Sequence, residues 1–273
     1  MVRLNILVSL IIVGVFGFFW AIPVYALVVG SIKNLQEVMG TPVLSPPLNI
    51  DLNTVLSVFS ELRDPLVNTI IVVVPVAFVS TMLGSLAAYS IYRRTGSIGD
   101  TLMLLIAIST YIPYQALLVP LVEFIKILGL YDTLPGLVLA FLIYYSPMAA
   151  LLMVIFMTAI PRDMVEAALI DGAGEIRIFR RIVLPLLGPG LTSTIIFILI
   201  MVWNNFYIPL IMTRGYEKYI TLKIFSYVGQ SGTLYNQMFA AALIGSLPPL
   251  LIFILLGRYF IRGLLVLGTG ARG

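Results

Sequence analysis

The sequence predicts an all-α integral membrane protein with six transmembrane helices. Both termini are expected in the cytoplasm, with a cytoplasmic helix–turn–helix between the fourth and fifth spans. Three observations carry this. Hydrophobic residues fill 60% of the 273 positions and the mean hydropathy is +1.09, a balance that suits lipid rather than water as the solvent. Charged residues make up only 10% and fall between long uncharged runs. Of the 16 basic and 12 acidic residues, 28 in all, six crowd into the stretch from Glu166 to Pro185.

The uncharged runs follow in order. Ile6–Val29 is 24 residues long. A secretory signal core is only about 7–15 residues, so despite the weak cleavage-like Val24-Tyr25-Ala26 it reads as a retained first span. Gly30 to Asp64 is the least apolar part, and Thr41-Pro42 and Ser45-Pro46-Pro47 mark it as an external loop rather than a packed domain. Thr69–Tyr92, Leu102–Val122, Leu134–Ile160, Leu191–Met212 and Phe239–Gly257 follow. Each has about the 20 residues that cross a bilayer. The expected organisation is a first helix and external loop over 1–63, a five-span core over 64–258 containing a charged loop at 161–189, and a cytoplasmic tail over 259–273. Ser80, Gly84 and Ala88 recur every four residues and predict one face of close helix contact. Pro23, Pro75, Pro113, Pro120, Pro147, Pro209, Pro248 and Pro249 lie within the spans, as kinks or as irregular backbone lining a path.

With the N-terminus inside, ten basic residues (Arg3, Arg93, Arg94, Arg162, Arg177, Arg180, Arg181, Arg258, Arg262, Arg272) face the cytoplasm. Six (Lys33, Arg63, Lys126, Arg214, Lys218, Lys223) lie outside. Basic residues accumulate on the cytoplasmic side, so both termini are placed in. The sequence contains neither Cys nor His, which excludes disulfides, Cys/His metal sites and a His-based triad. No basic-aromatic stripe points to nucleic acid. The spans hold no ionisable group for ion coupling and no acid–base pair for an enzyme. There is no phosphate-binding G-x-x-x-x-G-K-[ST] loop. Uphill transport would therefore draw energy from a partner at a cytoplasmic surface.

The charged stretch supplies such a surface. Pro161 suits a first helical turn, helix formers run from Arg162 to Asp171, and Gly172 suits the C-terminal cap. A second helix is expected from Glu175 into Leu184, with Glu175 near its positive end and an apolar face of Ile176, Phe179 and Val183. From the residues alone, a pair of helices resting on lipid headgroups and a docking element for a soluble partner both remain open.

The pattern Glu166-Ala167-Ala168, three residues, Gly172, nine residues, Ile182-Val183-Leu184-Pro185 resembles the signature loop of permease subunits in ABC importers. The likeness extends to Asn68-Thr69, Ala87-Ala88-Tyr89, Pro120-Leu121, Leu128-Gly129-Leu130-Tyr131-Asp132-Thr133, Trp203-Asn204-Asn205-Phe206 and Arg258-Tyr259-Phe260-Ile261-Arg262-Gly263-Leu264. Together these are similar to the maltose-type, six-span permeases of binding-protein-dependent carbohydrate importers. Asn205 departs from the Glu often found there, and the outer loop Gly232-Thr233-Leu234-Tyr235-Asn236 lacks the usual Trp.

The resemblance implies a non-enzymatic subunit paired with a second related permease. Two ATPase subunits would bind ATP and Mg, with no cofactor in this chain, and an external binding protein would deliver the solute. Glu166, Ala167, Ala168, Gly172, Ile182, Leu184 and Pro185 would form the ATPase-coupling element. Sugars are bound by aromatic faces and by amide or hydroxyl groups, so Tyr114, Gln115, Tyr144, Tyr145, Asn204, Asn205 and Tyr207 are candidates for the solute path. Tyr and Asn at such depths also satisfy hydrogen bonds between helices. A polyol, a glycerol phosphate ester and a passive channel are the alternatives. The orientation is tested by single cysteines: Ser45→Cys and Gly232→Cys should react with an impermeant thiol reagent added outside, and Ser97→Cys and Gly174→Cys only after permeabilisation. The reverse labelling would invert the topology.

Overall fold

A computed structural model describes residues 2–94, 96–229 and 232–270. It is helical throughout except for one antiparallel pair, β1 (Val228–Gly229) and β2 (Gly232–Thr233). Helix α1 (Val2–Ser31) leaves most of its surface open to lipid and packs against α12 (Tyr235–Gly270). The approach is close at Gly30, where a Cβ would lie 2.6 Å from the Phe239 ring. The tail expected over 259–273 begins as a continuation of α12, and 271–273 lie outside the described residues.

The segment after α1 holds a short helix and then a mostly exposed loop over 41–51, pinned from within by one lysine. Lys33 is buried, and its ammonium donates to Thr41 Oγ1 (3.1 Å), Pro42 O (3.3 Å) and Ser45 Oγ (2.9 Å). Asn34 caps the short α2 (Leu35–Gly40), and Glu37 Oε1 accepts from the Leu48 amide at 2.6 Å. The external loop also ends sooner than expected. Asp51 accepts from the Asn53 and Thr54 amides and the Thr54 hydroxyl, an N-cap that starts α3 (Leu52–Arg93) well before Asp64. This carboxyl is held below its usual range by those Thr54 contacts. The cap satisfies the first amides of the helix, and the sequence reading missed it because the following residues carry Glu61, Arg63 and Asp64.

Helix α3 has 42 residues, about 63 Å at 1.5 Å per residue, roughly twice the hydrocarbon thickness. Helices α4 (Ser97–Tyr111) and α5 (Tyr114–Ile127) meet at a 98° bend at Ile112 and Pro113. Helix α6 (Leu134–Met157) is capped by Thr133, whose hydroxyl accepts from the Gly136 amide. Then come α7 (Arg162–Ile170), α8 (Glu175–Leu186), α9 (Gly188–Trp203), α10 (Tyr207–Met212) and α11 (Ile220–Ser226). Windows within α1, α3, α6 and α12 are long and apolar enough to cross a membrane on their own.

The body is built on α3 against α6. The small-residue face predicted at Ser80, Gly84 and Ala88 is buried there. A Cβ on Gly84 would sit 2.6 Å from the Ala149 carbonyl carbon and 2.7 Å from the Ala150 nitrogen, so the two backbones touch. Around this contact Val73, Val76, Phe141, Ile198 and Tyr219 form one buried cluster. Gly84→Leu should force the backbones apart and destabilise the body by about 1–3 kcal/mol or more, read as a lower unfolding midpoint in detergent. An unchanged midpoint would mean that the helices can slide apart freely.

Candidate functional site

The charged stretch folds as the expected hairpin, α7 and α8. Pro161 opens α7. The chain leaves it through Gly172 at φ 78°, with the Gly172 amide donating to Leu169 O (2.9 Å) and the Ala173 amide to Ala168 O (2.9 Å). This pair of bonds is the Schellman closure of a helix C-terminus, for which glycine carries little strain. No atom stands within 4 Å of the position a Cβ would take at Gly172, so that residue faces open space.

Helix α8 carries a π-turn at Phe179–Val183, where the Leu184 amide donates to Phe179 O. Pro185 follows within the same helix. Its ring cannot pack against a regular preceding turn and it has no N–H to donate, and the widened turn takes up that misfit. A 76° bend then leads into α9, with Gly190 against Phe156.

Side chains hold the hairpin to the body. Val165, Ile178, Phe179, Val183 and Leu187 are buried with Met153, Phe156, Met157 and Ile160 of the α6 end and Ala88 and Tyr89 of α3. Ile176, expected on this apolar face, is 76% exposed, and Ile178 is the buried residue instead. Ile178, not Ile176, joins Phe179 and Val183 in the buried cluster. Glu175 had been assigned only a helix-end role. It pairs with Arg93 (Oε1–Nη2 3.0 Å, Oε1–Nε 3.1 Å) and accepts from the Tyr89 hydroxyl. Arg93, then Tyr89, hold its carboxyl below the usual range. The Arg162 guanidinium lies over the Tyr92 ring at 5.6 Å. Tyr89 and Arg93 were missed because they lie about eighty residues away in sequence; the available signal was a tyrosine–arginine run at the charged end of a span.

Of the residues singled out in the motif, Glu166, Ala167, Gly172 and Pro185 are exposed, and Ala168, Ile182 and Leu184 are half-buried under them. Ile170, at 86% exposure, stands beside the turn. The hairpin thus has one face anchored in the body and one open face that mixes apolar and acidic groups.

The other candidate residues gather at a break in the fifth span, which is not one helix. Asn204, Asn205 and Phe206 separate α9 from α10. Three carbonyls at the break accept from side chains: Tyr145 donates to Met201 O (3.2 Å), Tyr219 to Val202 O (2.5 Å) and Thr221 to Asn205 O (2.9 Å). Asn205 donates to the Tyr145 hydroxyl (3.3 Å) and accepts from the Ile208 amide (3.0 Å). Tyr145 and Asn205 are therefore bound up in the backbone of the break. Asn204 is exposed, with its amide turned back on Ile200 O (2.9 Å), and Tyr207 is half exposed. Tyr144 stands edge-on to Tyr145 (4.9 Å) and lines a recess of about 380 Å³ with Leu118, Phe124, Ile143 and Ile208. Gln115 is exposed beside the α4–α5 bend. The side chain of Tyr114 lies outside the described residues.

Comparison with known proteins adds three findings. Residues 80–266 match the family described as "Binding-protein-dependent transport system inner membrane component". The chain is 46% identical over 262 residues to a "Glucose import system permease protein" of Saccharolobus solfataricus, covering 93% of this chain and 91% of that protein. It is 38% identical to a "Probable ABC transporter permease protein" of Pyrococcus horikoshii over 62% of each. Among solved structures, a chain of a bacterial ABC transporter involved in the import of the acidic polysaccharide alginate has the same fold, with a TM-score of 0.78 over 94% of this chain and 97% of that one at 19% identity.

The geometry at Glu175 makes a prediction. Its lowered folded-state pKa means that anchoring is present above the usual carboxylate range and is lost as pH falls through the lowered value. The group is about half exposed, so the effect is modest, about 0.2–1 kcal/mol. The protection factors of amides 175–183, taken against the intrinsic exchange rate at each pH, should fall at acid pH, and Glu175→Gln should show the lowered protection already at pH 7 with no further fall on acidification. An acid response that survives in Glu175→Gln would place the titrating group elsewhere.

Proposed function

The chain belongs to the family of binding-protein-dependent transport system inner membrane components, and on that premise we propose that it is the membrane-embedded permease subunit of an ATP-driven sugar importer. It is a multi-pass protein of the cell membrane. The 46% identity to a glucose import permease supports a sugar as solute. The spans carry no cation to receive a phosphate ester. In this reading the chain crosses the bilayer six times with both termini inside, α4–α5 and α9–α10 each forming one broken span. It pairs with a second related permease, two ATPase subunits bind ATP and Mg on the cytoplasmic side, and a binding protein hands the sugar over outside.

The observation that carries the proposal is the hairpin, pre-folded and anchored on one side, with Glu166, Ala167, Ile170 and Gly172 open on the other. ATPase closure moves this open face. Glu175 and Arg93 pass the displacement to α3, and Leu187 and the 76° bend pass it to α9. Helix α9 ends at Asn204, so the motion reaches the residues lining the break. Within the proposed path, Asn204, Tyr207, Gln115 and Tyr144 are the side chains available to a sugar, and Tyr145 and Asn205 shape the backbone they stand on.

The test uses Gly172→Val and Glu166→Ala in the reconstituted importer. A β-branched residue at positive φ is strained by about 1–2 kcal/mol, enough to weaken a docking equilibrium roughly tenfold. Gly172→Val should insert normally, yet recover less ATPase on co-purification or hydrolyse ATP without moving sugar. Normal docking with normal coupled transport in both variants would remove the coupling role.

A further inference from the structure

A recess of about 640 Å³ opens between the charged end of α3 and the start of α8. Leu86, Ile176 and Phe179 form its apolar wall, and Arg93, Arg94 and Arg180 line it with positive charge. Glu175 already neutralises Arg93 at 3.0 Å. Among the described residues neither Arg94 nor Arg180 is in an ion pair, so the recess keeps two unmatched guanidinium groups. It lies where the uncharged run Thr69–Tyr92 ends, which is headgroup depth. A stripe on α3 leads straight into it: Phe78, Met82 and Leu86, four residues apart, are 52%, 39% and 45% exposed.

We propose that this recess binds an anionic phospholipid, with its phosphate held by Arg94 and Arg180 and an acyl chain laid along Leu86, Met82 and Phe78. A guanidinium fork matches the oxygens of a phosphate diester, and basic pockets at the ends of membrane helices hold such headgroups. The stripe decides between occupants. An acidic protein segment would satisfy the arginines and leave the apolar approach unused, whereas a lipid fills both with one molecule. The bound lipid bridges α3 to the hairpin beside the Glu175–Arg93 pair, so the composition of the membrane bears on how firmly the hairpin is held. This inference rests on the membrane placement of the chain and stands whether or not the solute is a sugar.

The test uses the full-length permease assembled with its ATPase in nanodiscs of phosphatidylcholine, titrated with phosphatidylglycerol. Retained lipid is read by native mass spectrometry. Wild type should retain phosphatidylglycerol selectively. Each cation near an anionic headgroup is worth about fivefold in affinity, so Arg94→Gln with Arg180→Gln should weaken retention about 25-fold. Arg94→Lys with Arg180→Lys, which keeps the charge but not the planar fork, should retain it better than the Gln pair and less well than wild type. Leu86→Asp, which places a like charge in the acyl path, should also lower it. Equal retention of the two lipids by wild type, or unchanged retention in the Gln pair and in Leu86→Asp, would overturn the proposal. So would full displacement by millimolar inorganic phosphate, since the site would then take a free anion. Loss of ATPase co-purification in the Gln pair with lipid retention intact would assign the recess to the ATPase interface instead.

Discussion

A membrane interior offers no water to a broken helix, so every backbone group released by a break must find a partner in the protein. The interruption at Asn204–Phe206 meets this constraint at three carbonyls with side chains from α6 and from the start of α11. Tyr145 of α6, Tyr219 just before α11 and Thr221 within it take the three carbonyls, and the Trp203 indole donates to Gly245 O of α12 at 3.0 Å. The same logic operates at the start of α11, whose first amide has no partner within its own helix. There the Thr69 hydroxyl donates to Pro65 O and accepts the Ile220 amide, which joins the start of α11 to α3. The tyrosines, asparagines and threonines in this greasy chain are in large part the means by which irregular backbone is made tolerable, and they bind the helices into one body.

The hairpin solves the opposite problem. It lies where water competes for every polar group, so a single ion pair contributes little by itself. Its order comes from several weaker devices acting together: the glycine-closed turn, the apolar cluster around Ile178 and Val183, and the Glu175 pairings. Because the anchored residues touch the ends of α3 and α6 together, a push on the open face reaches both. Close backbone contact at Gly84 then leaves those two helices little freedom to move independently.

The ends of α3 and α6 remote from the hairpin are organised by polar clamps as well. Asp132, at φ 64°, donates its amide to Met212 O, accepts from the Arg214 amide at 2.7 Å, and pairs with Lys218. Lys218, then the Arg214 amide, hold its carboxyl below the usual range. This fastens the turn before α6 to the loop after α10, above the break. Glu61 of α3 accepts from the Tyr227 hydroxyl, and Lys223 reaches both Glu61 and Glu217. The projecting end of α3 is thereby tied to α11 outside the hydrocarbon.

The sequence alone determined the solvent, the long apolar helices at α1, α3, α6 and α12, the small-residue face of α3 and the hairpin with its turn at Gly172. Each follows from a local property: apolar length, a four-residue repeat, or a backbone angle that glycine tolerates. The tertiary structure decided the rest. Asp51 and the packing around Lys33 set where α3 begins, which local composition had marked as loop. The seat of α8 against the ends of α3 and α6 decided that Ile178 is buried and Ile176 exposed, because contacts from distant elements select the buried side and no local periodicity encodes them. Tyr145 and Asn205 read from sequence as polar groups in a membrane, equally suited to a solute or to a backbone. Only the position of the break showed what they hold: the Met201 carbonyl for Tyr145, and the Ile208 amide for Asn205. Glu175 and Arg93 were both visible as charges, but the pairing of residues eighty positions apart depends on how α3 and the hairpin pack, and no local pattern encodes that.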